Sequence, residues 1–222
     1  MGHVEAPLEY VEHYYEADLK ERDAPESKFY LSWLKCVKGK SILSIGCGPN
    51  LYDDCQFFSE MPRELIGVDI NKANIDFLKK STNQNLTSAR EFLKKNKVKC
   101  KALVGDVTKP NDDYLGRFDS IYALGVFCAF KPDKLKEIFA LLNSYLKPGG
   151  LLIDADWTEC QLSAEEQQKK KEYLFYNGDQ EIEGMGKLMK EANFSILKHQ
   201  VYEVPDKAAY GWGKIYGYLA KK

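Results

Sequence analysis

Short apolar runs alternate with amphipathic stretches along this chain. Ser41 to Ile45 (SILSI), Glu64 to Ile70 (ELIGVDI), Lys101 to Val104 (KALV), Phe118 to Leu124 (FDSIYAL) and Leu151 to Asp154 (LLID) read as buried strands. Between them, Leu51 to Glu60, Asn74 to Lys80, Leu86 to Asn96 and Lys134 to Leu146 read as helices. In the last of these, Leu135, Ile138, Phe139, Leu142 and Leu146 recur at helical spacing, and Lys147-Pro148-Gly149-Gly150 ends the run. Glu183 to Glu191 reads as one more helix. Two late strands follow, around Ser195 to Glu203 and Lys214 to Leu219, and the short link between them predicts an antiparallel pair. The class is therefore α/β: a doubly wound, mostly parallel seven-stranded sheet with its last strand antiparallel. Residues 1–38 are expected to form an N-terminal helical cap on a single domain, and residues 157–182 a lid after the fifth strand.

Ligands of such sheets bind beyond the C-terminal strand ends, near the point where strand order reverses. That rim carries Ser44 to Asn50, Asp69, Asp106, and Leu124 to Phe127, with Asp154, Asp156 and Trp157 at the fifth strand. The turn Gly46-Cys47-Gly48-Pro49-Asn50 looks nucleotide-binding, yet it lacks the lysine of a phosphate loop. The third glycine of a dinucleotide fingerprint would fall at Leu51, which argues against an NAD-linked oxidoreductase. Asp69, ending the second strand, can accept hydrogen bonds from both hydroxyls of a ribose. Asp106, ending the third, can accept from the exocyclic amine of adenine. A nucleoside with a tail other than phosphate fits these features, and S-adenosyl-L-methionine is such a molecule.

Composition narrows the partners. The 222 residues carry a net charge of −1, with no basic excess to attract a nucleic acid. No stretch approaches the ~20 apolar residues of a membrane span. The acidic, tyrosine-rich N-terminal stretch does not read as a signal peptide. None of the 6 cysteines makes a C-x-x-C pair or zinc-finger spacing with His3, His13 or His199, so reduced thiols, a cytoplasmic location and no metal are expected. A monomer or weak homodimer acting on a small-molecule substrate is expected.

The pieces SIGCGPN, GVDI, GDV and LKPGG, in this order, resemble a class I S-adenosylmethionine-dependent methyltransferase with a Rossmann-like fold. The closer resemblance is to the nicotinamide, phenylethanolamine and indolethylamine N-methyltransferases. It rests on Tyr10-Val11-Glu12-His13-Tyr14-Tyr15, on Gly46-Cys47-Gly48-Pro49-Asn50-Leu51-Tyr52, and on Asp156 after the K-P-G-G. It implies that Tyr10 and Tyr15 close over the cofactor and reach its methionine carboxylate, and that Tyr52 makes a third contact. The expected cofactor-binding set is Tyr10, Tyr15, Ser44, Gly46, Cys47, Gly48, Asn50, Tyr52, Asp69, Ile70, Asp106, Val107, Leu124 and Gly125.

Methyl transfer to an amine needs the acceptor lone pair held behind the methyl group and a group to orient it or take its proton. Asp156, expected on the rim outside the strand, is the first choice, ahead of Asp154. Tyr176, with Tyr173 and Trp157, can embrace a cation from the lid. Cys128 reads as pocket lining. Ser44 stands where such loops usually carry a carboxylate that helps hold the methionine amine. A hydroxyl there leaves open a non-methylating use of the cofactor: aminocarboxypropyl transfer, or intramolecular cyclisation that releases methylthioadenosine. Binding of the cofactor without catalysis is a further alternative.

Overall fold

The computed structural model describes residues 8–159, 179–205 and 212–222. Seven strands form one sheet: β1 Ser41–Ile45, β2 Glu64–Asp69, β3 Lys99–Val104, β4 Phe118–Leu124, β5 Leu146–Glu159, β6 Ser195–Glu203 and β7 Trp212–Lys221. Their order is β3-β2-β1-β4-β5-β7-β6. The first five run parallel, and β7 lies antiparallel between β5 and β6. From β1 the chain winds outward to β2 and β3, then returns to place β4 on the other side. The reversal falls between β1 and β4, and the C-terminal ends of these two strands open the crevice where ligands of such sheets bind.

Alternation along each buried strand feeds two apolar layers. One face carries Ile42, Leu65, Tyr122 and Ile153, packed with Trp33, Leu34, Leu51 and Phe77. The other carries Leu43, Ile66, Ile121 and Leu152, packed with Ile138, Phe139, Leu142 and Met185. The covering helices are α1 Leu8–Glu21, α2 Pro25–Ser32, α3 Leu51–Asp54, α4 Lys72–Lys80, α5 Gln84–Lys95, α6 Pro132–Tyr145 and α7 Asp179–Glu191. Asparagines open two of them. Asn71 accepts the Ala73 N–H at 2.9 Å at the start of α4, and Asn83 accepts the Asn85 N–H at 3.0 Å at the start of α5. α6 has proline in its first turn, where the missing N–H costs nothing.

The helix expected over Leu51 to Glu60 shortens to α3, flanked by 3-10 turns at Gly48–Asn50 and Cys55–Phe57. Phe58 turns extended and buries its ring edge-on against Tyr122, at 5.5 Å between centroids. Burying that ring on the sheet ends the helix. The fifth strand starts at Leu146 rather than Leu151. The Lys147 to Gly150 stretch is taken up as an irregularity against β4, with Gly149 at φ 77. β3 starts at Lys99 rather than Lys101; it is an edge strand, and its lysines discourage further pairing. Residues 8–36 hold α1, α2 and a 3-10 turn at Trp33–Cys36. The lid drawn at residues 157–182 loses both ends: Trp157 to Glu159 belong to β5 and Asp179 opens α7. The rest of it lies outside the described residues.

Candidate functional site

Beyond the C-terminal ends of β1 and β4 lies a cavity of about 420 Å³. Its floor is the glycine turn. Gly46 and Gly48 both sit in the left-handed region, at φ 58 and 52. A Cβ on Gly46 would stand 2.6 Å from Val126, whereas one on Gly48 would meet nothing within 4 Å. Gly48 thus presents bare backbone toward the cavity. Leu51, at the missing third glycine, is fully buried. Its side chain lies over Gly67 of β2, 2.4 Å from where a Cβ would be. Close helix–strand approach is kept here by a glycine on the strand instead of one on the helix.

Asp69 ties this floor together. Its carboxylate accepts the Gly48 N–H at 2.8 Å, the Asn71 N–H at 2.7 Å and the Asn74 side-chain amide at 3.2 Å. A carboxylate offers about four acceptor positions, so room remains for a ligand hydroxyl. Asn50 donates to Asp18 at 3.0 Å, which joins α1 to the turn. Cys47, Leu124 and Gly125 also line the wall.

The leading helix divides its tyrosines by phase. Tyr10 and Tyr14, one turn apart, line the cavity and are 62% and 53% exposed. Tyr15 lies about 100° around the helix from Tyr14, on a buried flank. Its hydroxyl donates to Asp53 at 2.8 Å and its ring meets Phe77 at 5.2 Å. Tyr15 is therefore a core residue away from the cavity wall, and Tyr14 takes its expected place. Tyr52 is likewise packed in the core, under the Arg90 guanidinium at 5.9 Å. Ile70, Asp106 and Val107 also lie off the cavity wall. Ile70 faces solvent, Val107 packs against the second apolar layer, and Asp106 accepts the Thr108 N–H at 2.8 Å in a tight turn after the edge strand.

At the far end, Gly125 at φ 69 lets Tyr30 and Trp157 crowd the turn after β4. A Cβ there would lie 2.3 Å from the Trp157 ring and 2.7 Å from the Tyr30 hydroxyl. That hydroxyl is buried with no hydrogen-bond partner among the described residues, and burial followed by the nearby Asp156 pushes its pKa up.

Asp156 is not on the rim. It is wholly buried inside β5, opposite Tyr216 of β7. Its carboxylate accepts the Phe127 and Cys128 N–H groups at 3.0 and 3.2 Å and so pins the turn after β4. β5 runs on past this point because β7 pairs with it as far as Glu159. Asp154, on the same face, is also wholly buried, and as a protonated carboxyl it donates to the Asp156 carboxylate beside it. Burial and then its neighbour Asp156 hold the Asp154 carboxyl protonated well above the usual range. Tyr173 and Tyr176 fall outside the described residues.

Sequence reasoning missed two further buried carboxylates on the cavity wall, Glu26 of α2 and Asp54. Asp54, at the end of α3, is 5% exposed and accepts the Tyr122 hydroxyl at 2.8 Å. Burial raises its pKa to about 7. Ser44 lies in register beside Tyr122 on the neighbouring strand, buried like it. The available signal for Asp54 was the adjacent pair Asp53-Asp54 in a helix that must bury its inner face.

Among the described residues, the acidic side chains lining the cavity, Asp18, Glu26, Asp54 and Asp69, outnumber the one guanidinium, Arg22. That excess favours a cationic guest. S-adenosyl-L-methionine, with a sulfonium and an ammonium, meets that demand, and the unfilled acceptor position of Asp69 suits its ribose.

The family model described as "Methyltransferase domain" matches residues 8–199. The chain belongs to this methyltransferase family. Its cofactor is S-adenosyl-L-methionine, and its class is class I. No curated protein sequence matches the chain. Among solved structures, a SAM-dependent methyltransferase from Methanosarcina mazei is 16% identical, with TM-score 0.58 over 89% of this methyltransferase chain and 97% of the other. Haemonchus contortus phosphoethanolamine N-methyltransferase 2, in complex with S-adenosyl-L-methionine, is 15% identical, with TM-score 0.58 over 88% of this chain and 52% of that one. The [4+2]-cyclase SpnF is 13% identical, with TM-score 0.60 over 88% and 78%. At such identities the likeness is one of fold. Among the described residues no helix is long and apolar enough to cross a membrane.

Proposed function

We propose that this methyltransferase moves the methyl group of S-adenosyl-L-methionine to the nitrogen of a small amine, within one domain capped by α1 and α2. The observation that carries the reading is the far end of the cavity, where Tyr30 and Trp157 meet beside Gly125 and Glu26 also lines the wall. Aromatic faces next to a carboxylate suit an amine that arrives charged and must become neutral to attack.

When bound, the cofactor supplies an electrophilic methyl on a sulfonium. The protein's part is positioning. Gly46, Gly48 and Asp69 hold the donor along the floor, while Tyr10 and Tyr14 flank it from α1. Glu26 and Tyr30 lie one turn apart on α2 and share a face. In this reading Glu26 takes the proton from the acceptor nitrogen, and the Tyr30 hydroxyl donates or accepts to orient it. Asp156 acts at one remove, by fixing the Phe127–Cys128 turn against which the acceptor end is built.

Product analysis tests the reading. Incubation with S-adenosyl-L-methionine and a panel of primary and secondary amines should give S-adenosylhomocysteine and an N-methylated product. Accumulation of methylthioadenosine in place of S-adenosylhomocysteine would overturn it in favour of a non-methylating reaction.

A further inference from the structure

Ser44 leaves the end of β1 without a carboxylate, yet the cavity beside it is not without one. Ser44 is 1% exposed and lines the wall. Across the sheet, in register, stands Tyr122, whose hydroxyl donates to Asp54 at 2.8 Å. The three side chains form one buried row from β1 through β4 to α3. Its end is a carboxylate on the same cavity wall.

We infer that Asp54, aimed by Tyr122, replaces the missing β1 carboxylate and binds the α-ammonium of the cofactor's methionine moiety. The inference rests on the methyl-donor reading above. Two features point to a cationic group as the occupant. Asp54 has no ion pair among the described residues; Arg22 goes instead to Asp53 at 3.6 Å and Asp18 at 3.9 Å. A buried carboxylate whose one short hydrogen bond among the described residues comes from a phenol keeps most of its acceptor capacity for a ligand. Leaving that capacity unmet is costly in a low-dielectric site, and a ligand ammonium is the kind of donor that meets it. Ser44 is then no relaxation of the site. Its small side chain stands beside Tyr122, which donates to the relocated carboxylate.

The same placement bears on chemistry. An amine held as an ammonium by a carboxylate has no free lone pair, so it cannot attack within its own molecule. Asp54 therefore guards against the cyclisation that a bare hydroxyl at Ser44 left open.

Calorimetry with three ligands decides the matter: S-adenosylhomocysteine, its des-amino analogue, and methylthioadenosine. In Asp54→Asn, affinity for S-adenosylhomocysteine should fall by roughly 10- to 100-fold, the range for a hydrogen bond to a charged group. Affinity for the two ligands that lack the amine should stay within about twofold. Adding Ser44→Asp to Asp54→Asn should restore most of the loss. Should Asp54→Asn fail to fold, Tyr122→Phe carries the test, with a smaller loss confined to the amine-bearing ligand. Equal weakening of all three ligands would make Asp54 a packing residue and overturn the assignment. Unchanged S-adenosylhomocysteine binding in a folded Asp54→Asn would also overturn it. If the wild type binds methylthioadenosine but gains nothing from the amine, only this inference falls. If it binds none of the three, the donor reading falls with it.

Discussion

The two ends of the cavity are built on opposite principles. At the glycine turn the polar groups are tied: Asp69 takes three hydrogen bonds, and the Cys47 N–H reaches Val68 at 3.1 Å. At the Tyr30–Trp157 end, a buried phenol hydroxyl has no partner among the described residues, and the crowding is aromatic. The first end is preorganised for one ligand and needs no rearrangement to receive it. The second supplies shape and an unmet hydrogen-bonding group, which the acceptor completes. Cofactor affinity and acceptor choice are thus held by different residues and should separate under mutation.

Gly125→Ala should break the contrast most severely. The added methyl meets Trp157 and Tyr30 well inside contact distance on a left-handed backbone. A stability loss of about 3 kcal/mol is expected from strain and overpacking, with turnover abolished, as read by thermal melts and a product assay. A variant with wild-type turnover would mean that this end is not the acceptor site.

Asp69→Ala should cost about 2–3 kcal/mol of cofactor affinity, since it removes a charged acceptor and frees the Gly48 turn. Isothermal titration with S-adenosylhomocysteine checks this, and an unchanged Kd would show that the floor does not hold the ribose. Tyr30→Phe should sharpen the separation. We expect kcat to fall about tenfold, equal to about 1.4 kcal/mol, with cofactor Kd unchanged. Equal loss in both would tie the two ends together.

A further effect is on pH dependence. The Asp54 carboxyl is raised to about 7, so the folded, ligand-free chain keeps a proton that the unfolded chain has released. Its contribution is fully present below the ordinary carboxylate pKa of about 4 and is lost as pH rises toward about 7. Tyr122, Asp53, Asp18 and Arg22 face this group. In the absence of ligand, Asp54→Asn should melt with a flatter dependence on pH across this window. A slope as steep as the wild type's would assign the dependence elsewhere.

Much of the fold was legible because buried parallel strands are continuous apolar runs. SILSI, ELIGVD and FDSIYAL could hardly be read otherwise, and the loop chemistry of Gly46, Gly48 and Asp69 is local to a few residues. What stayed hidden depends on phase or on distant pairing. Tyr14 and Tyr15 are neighbours in sequence and about 100° apart around a helix, so the motif alone could not say which faces the cavity. Sequence alone puts Asp156 on the rim because nothing in its own neighbourhood shows that β7 prolongs β5 beyond it. The Asp53-Asp54 pair signals a buried carboxylate, and only the fold shows which of the two meets Tyr122 of β4.

Leu51 over Gly67 also governs how this turn can change over evolutionary time. Gly67→Ala alone drives a methyl into Leu51, and Leu51→Gly alone leaves a leucine-sized hole worth about 2–5 kcal/mol. Each residue is thus permitted only by the other's present size. A lineage drifting toward the three-glycine loop of dinucleotide enzymes must pass through a destabilised intermediate. The pair acts as a ratchet on cofactor identity, set by packing well before any contact with the cofactor itself.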